Sequence, residues 1–276
     1  MKLSCLPVSY FSSIIQNKMT IPQWVQEAKS LELDGIDLSV LLLKSTESEY
    51  LKGIKKKIES SDLDLAVVNT YPDFTHPDSD ERKRQLSKTK KEIIAACQLG
   101  AKMVRITAGQ AHPETSRDKG FVWAVEALKR LSEETSCCDI KLAFENHSKP
   151  GIWDYPDFCL PTEIFLEIAE KLKDTSIGIL FDTANPLVYG DDPIPILEQV
   201  IGRVICVHVA DTKEVKKLAP VIIGTGIVDF SAIFSKLKQF NYGGWFSVEE
   251  ASDQGQAGVT EAVKFVRRTW KNASSR

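Results

Sequence analysis

The 276 residues carry 35 Lys and Arg against 38 Asp and Glu, a formal charge of −3, and 43% of them are apolar. This composition excludes a disordered or collagen-like chain and a disulfide-stapled miniprotein, while the length suits one α/β barrel or two modest domains. A pI near 5.9 supplies no broad attraction for nucleic acid or anionic lipid, so small molecules are the default partners.

Taken in chain order, the start Met1-Lys2-Leu3-Ser4-Cys5 has no apolar run ahead of its cysteine to act as a signal core, and a cytoplasmic location is expected. A first strand is expected at Lys2–Val8, followed by a helix opened by Thr20 ahead of Pro22. Strands two and three fall at Gly35–Ser39 and Leu63–Thr70. Ser79 then precedes a charged helix that runs to Leu99, with Gly100 placed to stop it. Strands four and five follow at Lys102–Thr107 and Ile140–His147. Thr162 opens a helix whose apolar series is Ile164, Phe165 and Ile168, and strand six is Ile177–Asp182. Asp192-Pro193 opens another helix, with Gly202 at its expected stop, before strand seven at Val204–Ala210 and strand eight at Trp245–Glu249.

Most of these runs are almost continuously apolar, as parallel strands covered on both faces should be. Eight strand-helix units of about 30–40 residues predict a (β/α)8 TIM barrel. No linker or composition shift divides residues 1–276, which predicts a single domain. A doubly wound open sheet would more often place glycine in its first turn, and Ser9-Tyr10-Phe11-Ser12-Ser13 has none. The six cysteines form no C-x-x-C pair and several lie in apolar runs, which suits a reducing compartment. Nowhere do about 18 apolar residues run uninterrupted, so no membrane span is expected.

Active sites of such barrels lie at the carboxyl ends of the strands. The last four strands end in Glu145, Asp182, His208 and Glu249. Any one of them alone reads as a cap, a salt-bridged acid or a satisfied core histidine. Carboxylates at the ends of apolar strands are costly without compensation, so three of them converging with an imidazole predict one divalent metal ion, Mn2+, Mg2+, Co2+ or Zn2+.

These residues sit in Ala143-Phe144-Glu145-Asn146-His147, Asp182-Thr183-Ala184-Asn185, His208-Val209-Ala210-Asp211, Gly224-Thr225-Gly226-Ile227-Val228-Asp229-Phe230 and Tyr242-Gly243-Gly244-Trp245-Phe246-Ser247-Val248-Glu249-Glu250. In these motifs the chain resembles, over nearly its whole length, the xylose isomerase-like TIM-barrel superfamily, specifically the sugar phosphate isomerase/epimerase group related to ketose 3-epimerases and endonuclease IV. The resemblance implies that Glu145, Asp182, His208 and Glu249 bind a single metal, and that Glu145 and Glu249 double as the acid/base pair. A cation on a carbonyl and its neighbouring hydroxyl would stabilise the enediolate left when the α-proton departs. Two working bases permit epimerisation, whereas one favours isomerisation or loss of a β-hydroxyl.

The family often has histidine three residues after the strand-six aspartate. Here Asn185 stands there, a poorer ligand able to bind a substrate hydroxyl. An arginine that epimerases place six residues after the strand-seven histidine is replaced by Glu214. Endonuclease IV needs further histidines, which the strand ends Val68-Asn69-Thr70 and Thr107-Ala108-Gly109 lack. His147 should point into the mouth beside Glu145 and contact substrate or sit hydrogen-bonded to a loop. Asp211 is expected to orient His208, bind a substrate hydroxyl or cap the next turn. Arg105 is expected either to hold a substrate oxyanion or to pair with a buried carboxylate. The aromatic, proline-rich stretch 149–158 suits a lid or substrate wall, or equally a self-packed surface loop.

The sequence thus predicts a metal-dependent isomerase or epimerase of a small polyhydroxylated carbonyl compound. A dehydratase of an inosose or dehydroshikimate-like substrate is the nearest alternative. A non-catalytic carbohydrate-binding barrel and an abasic-site endonuclease are more distant ones. The expected partner is a carbohydrate-like small molecule, with neither nucleic acid nor membrane, and homo-oligomerisation is left open.

Overall fold

The computed structural model describes residues 1–274. Its elements are β1 Lys2–Pro7, α1 Phe11–Ile15, α2 Ile21–Ser30, β2 Gly35–Ser39, α3 Ser48–Glu59, β3 Asp64–Asn69, α4 Ser79–Leu99, β4 Met103–Ile106, α5 Arg117–Glu134, β5 Lys141–Glu145, α6 Thr162–Lys171, β6 Gly178–Asp182, α7 Asn185–Tyr189, α8 Pro193–Val200, β7 Val204–Val209, α9 Phe230–Gln239, β8 Trp245–Glu250 and α10 Gly255–Asn272. Eight parallel strands run in the order β1-β8-β7-β6-β5-β4-β3-β2, the TIM barrel read from the sequence.

Among the described residues no strand ladder joins β1 to β2, and the seam is closed by one backbone bond together with side chains. The Asp34 N–H donates to the Leu3 carbonyl at 2.9 Å, and the Leu3 N–H donates to Asp34 Oδ2 at 2.8 Å. Deeper in the seam Ser4 and Ser247 donate to Asp37 Oδ2, while Asp37 Oδ1 accepts the Val67 N–H beside a bulge in the β2–β3 pairing. Asp37 is fully buried, and desolvation raises its pKa to about 6, a rise only partly offset by Ser247 and His208. A carboxyl titrating higher in the folded than in the unfolded chain contributes stability below pH ~4, which is lost as pH climbs through 6. Asp37→Asn is expected to flatten that decline by roughly 3 kcal/mol between pH 4 and 7, as measured by denaturant titration of chelator-treated protein. Parallel profiles for the two proteins would remove this role from Asp37.

The helix signals hold at most ends. Thr20 and Gln23 form a reciprocal capping box on α2, Asp192 caps α8, and Gly100 ends α4 at φ 81°, a left-handed value suited to glycine. Two expectations shift. The α4 cap is Asp78, whose extended backbone lets its carboxylate accept the Asp80 N–H, while Ser79 is already helical. Gly202 lies in a 3-10 turn, Ile201–Arg203, after α8 has ended at Val200. Buried Val200 and Ile201 carry the chain directly into β7 there, so no left-handed stop is needed.

Alternation along the strands then places the site. Val67, Met103, Ala143, Leu180, Cys206 and Trp245 form the apolar plug inside the barrel. Two residues further along each strand the same inward direction belongs to Asn69, Arg105, Glu145, Asp182, His208 and Ser247, with Glu249 two beyond that. The polar layer at the carboxyl end therefore rests on an apolar floor. Among the described residues, no helix is long and apolar enough to cross a membrane.

Candidate active site

Glu145, Asp182, His208 and Glu249 converge, one ligand atom from each lying within 4.8 Å of all the others. His208 Nδ1 is 2.7 Å from Glu145 Oε1 and 2.8 Å from Glu249 Oε2. A single Nδ1–H is thus shared between two carboxylate oxygens, and the packing crowds like charges around one proton. Asp182 turns one oxygen to the backbone, where Oδ1 accepts the N–H groups of Ala184 and Asn185, and so offers the other to the cluster. Asn146 fixes that strand end by accepting the Asp182 N–H and donating to the Asp182 carbonyl. Its side chain takes the place of further ladder between β5 and β6, which is why β5 stops at Glu145 although the apolar run suggested His147.

Arg105 supplies the neighbouring positive charge. Its Nε lies 3.2 Å from Glu145 Oε2 but donates to Asn69 Oδ1 at 3.0 Å, and its Nη1 donates to the Thr70 carbonyl. The guanidinium also packs on the Tyr71 ring, 4.6 Å from its centre. Burial alone would raise the Glu145 carboxyl; Arg105 and His208 outweigh it and hold the group at about 2. Burial, with Glu249 and Glu145 close by, pushes Asp182 well up, and despite burial the same two glutamates push His208 well up.

A divalent cation fits this donor set. Three carboxylates and an imidazole match the ligand chemistry, and Glu145 Oε2 and His208 Nε2 are buried without a hydrogen-bond partner among the described residues. Ligands bind metal in their deprotonated forms. Loading with Mn2+ at pH 7 should therefore release at least one proton, read as a calorimetric enthalpy that varies with the ionisation heat of the buffer. A buffer-independent enthalpy would mean that the cluster carries no such proton.

Above the cluster opens a cavity of about 430 Å3 that reaches Asp182, Glu249, Arg105, His147, Asn185 and Asp211, a size suited to a small ligand. Glu249 is 29% exposed whereas Glu145 is 1% exposed, so the two glutamates face the cavity unequally. A larger hollow of about 860 Å3, lined by Lys2, Lys102 and Trp245 among others, lies at the amino ends of the strands and contains none of the four. In this architecture that end serves stability rather than chemistry.

The remaining expected residues separate. His147 borders the cavity, with Nδ1 3.2 Å from Asp157 Oδ2 and its ring edge-on to Trp153. Asn185 stands at the mouth at the start of α7. Of the roles expected for Asp211, the capping of backbone is the one its contacts match: Oδ1 accepts the Thr212 and Val228 N–H groups and Oδ2 those of Gly224 and Gly226. It pins the loop after β7, and a Cβ at Gly226 would run into its carboxylate.

Residues not foreseen anchor the 149–158 stretch, of which Lys149, Pro150, Gly151 and Ile152 line the cavity. Gln110 Oε1 accepts the Asp154 and Tyr155 N–H groups, while Asp73 accepts from the Gln110 side chain and lies 2.8 Å from His112 Nε2. These polar residues lie in loops, where no periodicity marks them.

Fold and cluster together define a β/α barrel with an acid and imidazole site at its carboxyl end. The chain belongs to the xylose isomerase-like TIM barrel family, which it matches over residues 25–269. It is 27% identical over 261 residues to L-ribulose-5-phosphate 3-epimerase UlaE of Escherichia coli K12, covering 90% of this chain and 88% of that protein. Inosose dehydratase of Clostridium tetani is 28% identical over 163 residues, 53% of this chain and about half, 51%, of that enzyme. A crystal structure of the IOLI protein with a binding zinc atom superposes with a TM-score of 0.80 at 18% identity, over 100% of both chains, a likeness of fold.

Proposed function

We infer that the protein, an enzyme of this family, is a divalent-metal-dependent isomerase or epimerase of a small polyhydroxylated carbonyl compound. The observation that carries this reading is the convergence of Glu145, Asp182, His208 and Glu249, of which Asp182 and Glu249 line the cavity. The likeness to a ribulose-phosphate epimerase and, in fold, to a zinc-binding protein supports it. A cation held by the four would act as a Lewis acid on the substrate carbonyl and make the adjacent C–H acidic.

Glu249, the glutamate open to the cavity, is the group that takes the α-proton. Glu145 lies beneath as an ionised ligand; in one sense of an inversion it takes the proton while a protonated Glu249 delivers one to the other face, and in the opposite sense it must first gain a proton from solvent. His147 and Asn185 hold substrate hydroxyls at the mouth, and Arg105 keeps Glu145 ionised.

The burial of Glu145 behind Arg105 favours one second reading. A site with a single open base also suits β-elimination of a hydroxyl, the reaction of a dehydratase, and half of the chain is similar to one.

Manganese-loaded protein, incubated in D2O with a panel of ketoses and cyclitol ketones, tests both. Deuterium uptake at the α-carbon without loss of water is the expected result, and a product lighter by one water would give the dehydratase reading precedence. No uptake with any compound, together with no bound metal, would overturn both.

A further inference from the structure

The walls of the cavity say more about the substrate than its floor does. Above the acids they are aliphatic and aromatic, with Phe11, Ile15, Leu41, Ile152, Leu218 and Val221 coming from four different loop regions. Ile15, Ile152 and Leu218 are 56%, 54% and 46% exposed. Large aliphatic side chains grouped around one opening mark a binding surface more often than chance exposure.

The charges point the same way. Asp182, Asp211, Glu249 and Asp253 line the cavity against two cations, Arg105 and Lys149. Arg105 is engaged with Glu145, Asn69 and Thr70, and Lys149 Nζ donates to the Asp154 carbonyl. Barrels of this kind often hold a substrate phosphate on backbone N–H groups of the loops after the seventh and eighth strands. Here the amides of Gly224, Gly226 and Val228 in the loop after β7 converge on the Asp211 carboxylate. A built-in anion engages these three amides, which leaves none of them free for a substrate phosphate.

We propose that the substrate is an unphosphorylated keto-sugar or keto-cyclitol carrying an apolar substituent, which lies against Phe11, Ile15, Ile152 and Leu218 while the carbonyl end meets the acids. The inference rests on the carbonyl chemistry above only for which end of the substrate goes down. It differs from the phosphorylated substrate named for the ribulose-phosphate epimerase to which the chain is similar.

The test uses manganese-loaded protein and three probes that share one reacting end: methyl 3-keto-β-glucoside, its phenyl counterpart and the methyl compound's 6-phosphate. Deuterium uptake and calorimetric binding are both read. The phenyl compound is expected to exceed the methyl compound at least tenfold in kcat/KM or affinity, and the phosphate to fall at least tenfold below it. Ile152→Ser and Leu218→Ser, both at exposed positions, should bring the phenyl-to-methyl ratio towards one. Preference for the phosphate would overturn the inference while leaving the carbonyl chemistry standing. Phenyl-selective binding with no deuterium uptake would do the reverse. Equal binding of phenyl and methyl probes would overturn it, as would a dimer sealed through this mouth in sedimentation and dispersed by Ile15→Ser.

Discussion

Replacing Glu249 with glutamine is expected to lower deuterium uptake into the best substrate by roughly 10²–10⁴-fold, the range for removing a positioned general base. The change keeps side-chain volume and leaves an oxygen facing His208 Nδ1, so the fold should hold. Glutamine is a weaker ligand than glutamate, and metal loss must be separated from loss of the base. Metal content measured beside turnover does this. A variant that retains its manganese, binds substrate with a similar KM and turns over slowly has lost proton transfer. If Glu249→Gln with full metal keeps more than a tenth of wild-type uptake, Glu249 is not the base. The same change at Glu145 should depress metal retention first, because Glu145 is buried and faces the cluster rather than the cavity.

The unequal standing of the two glutamates could not be read from the sequence, whereas their convergence could. Strand alternation carries Ala143 to Glu145, Leu180 to Asp182 and Cys206 to His208, so the inward direction of each ligand follows from local chemistry that a linear chain displays. What covers each ligand is decided by residues distant in sequence. Arg105 is 40 positions from Glu145 and comes beside it because β4 pairs with β5 in a register that sets Arg105 opposite Ala143. Asp211 carried the signals of a functional residue, yet its occupancy by four amides depends on a loop returning from Gly224 to Val228. The seam between β1 and β2 was equally invisible, since Asp34 and Asp37 look like ordinary polar residues at a strand edge until the barrel closes on them.

Arg105→Met should give the largest loss of stability of any single change near the site. The guanidinium is 3% exposed and neutralises a carboxylate that is 1% exposed. Deleting one partner of such a buried pair costs about 3–5 kcal/mol, chiefly because the other charge is left uncompensated. Glu145 titrates at about 2 in the folded protein, below its value of 4.5 when unfolded, so its contribution is full above pH ~4.5 and is lost as pH falls through 2. The gap between wild type and Arg105→Met, measured by denaturant unfolding of chelator-treated protein, should therefore be widest near neutrality and shrink on acidification. Saturating Mn2+ supplies positive charge at the same cluster and should stabilise the variant more than the wild type. The double variant Arg105→Met with Glu145→Gln distinguishes charge from packing. If an orphaned carboxylate is the cause, removing it restores most of the lost stability; if the lost contacts with Asn69, Thr70 and Tyr71 are the cause, the double variant is no more stable than the single one. That second result, with a gap independent of pH, would show that Arg105 fills space instead of holding Glu145 ionised.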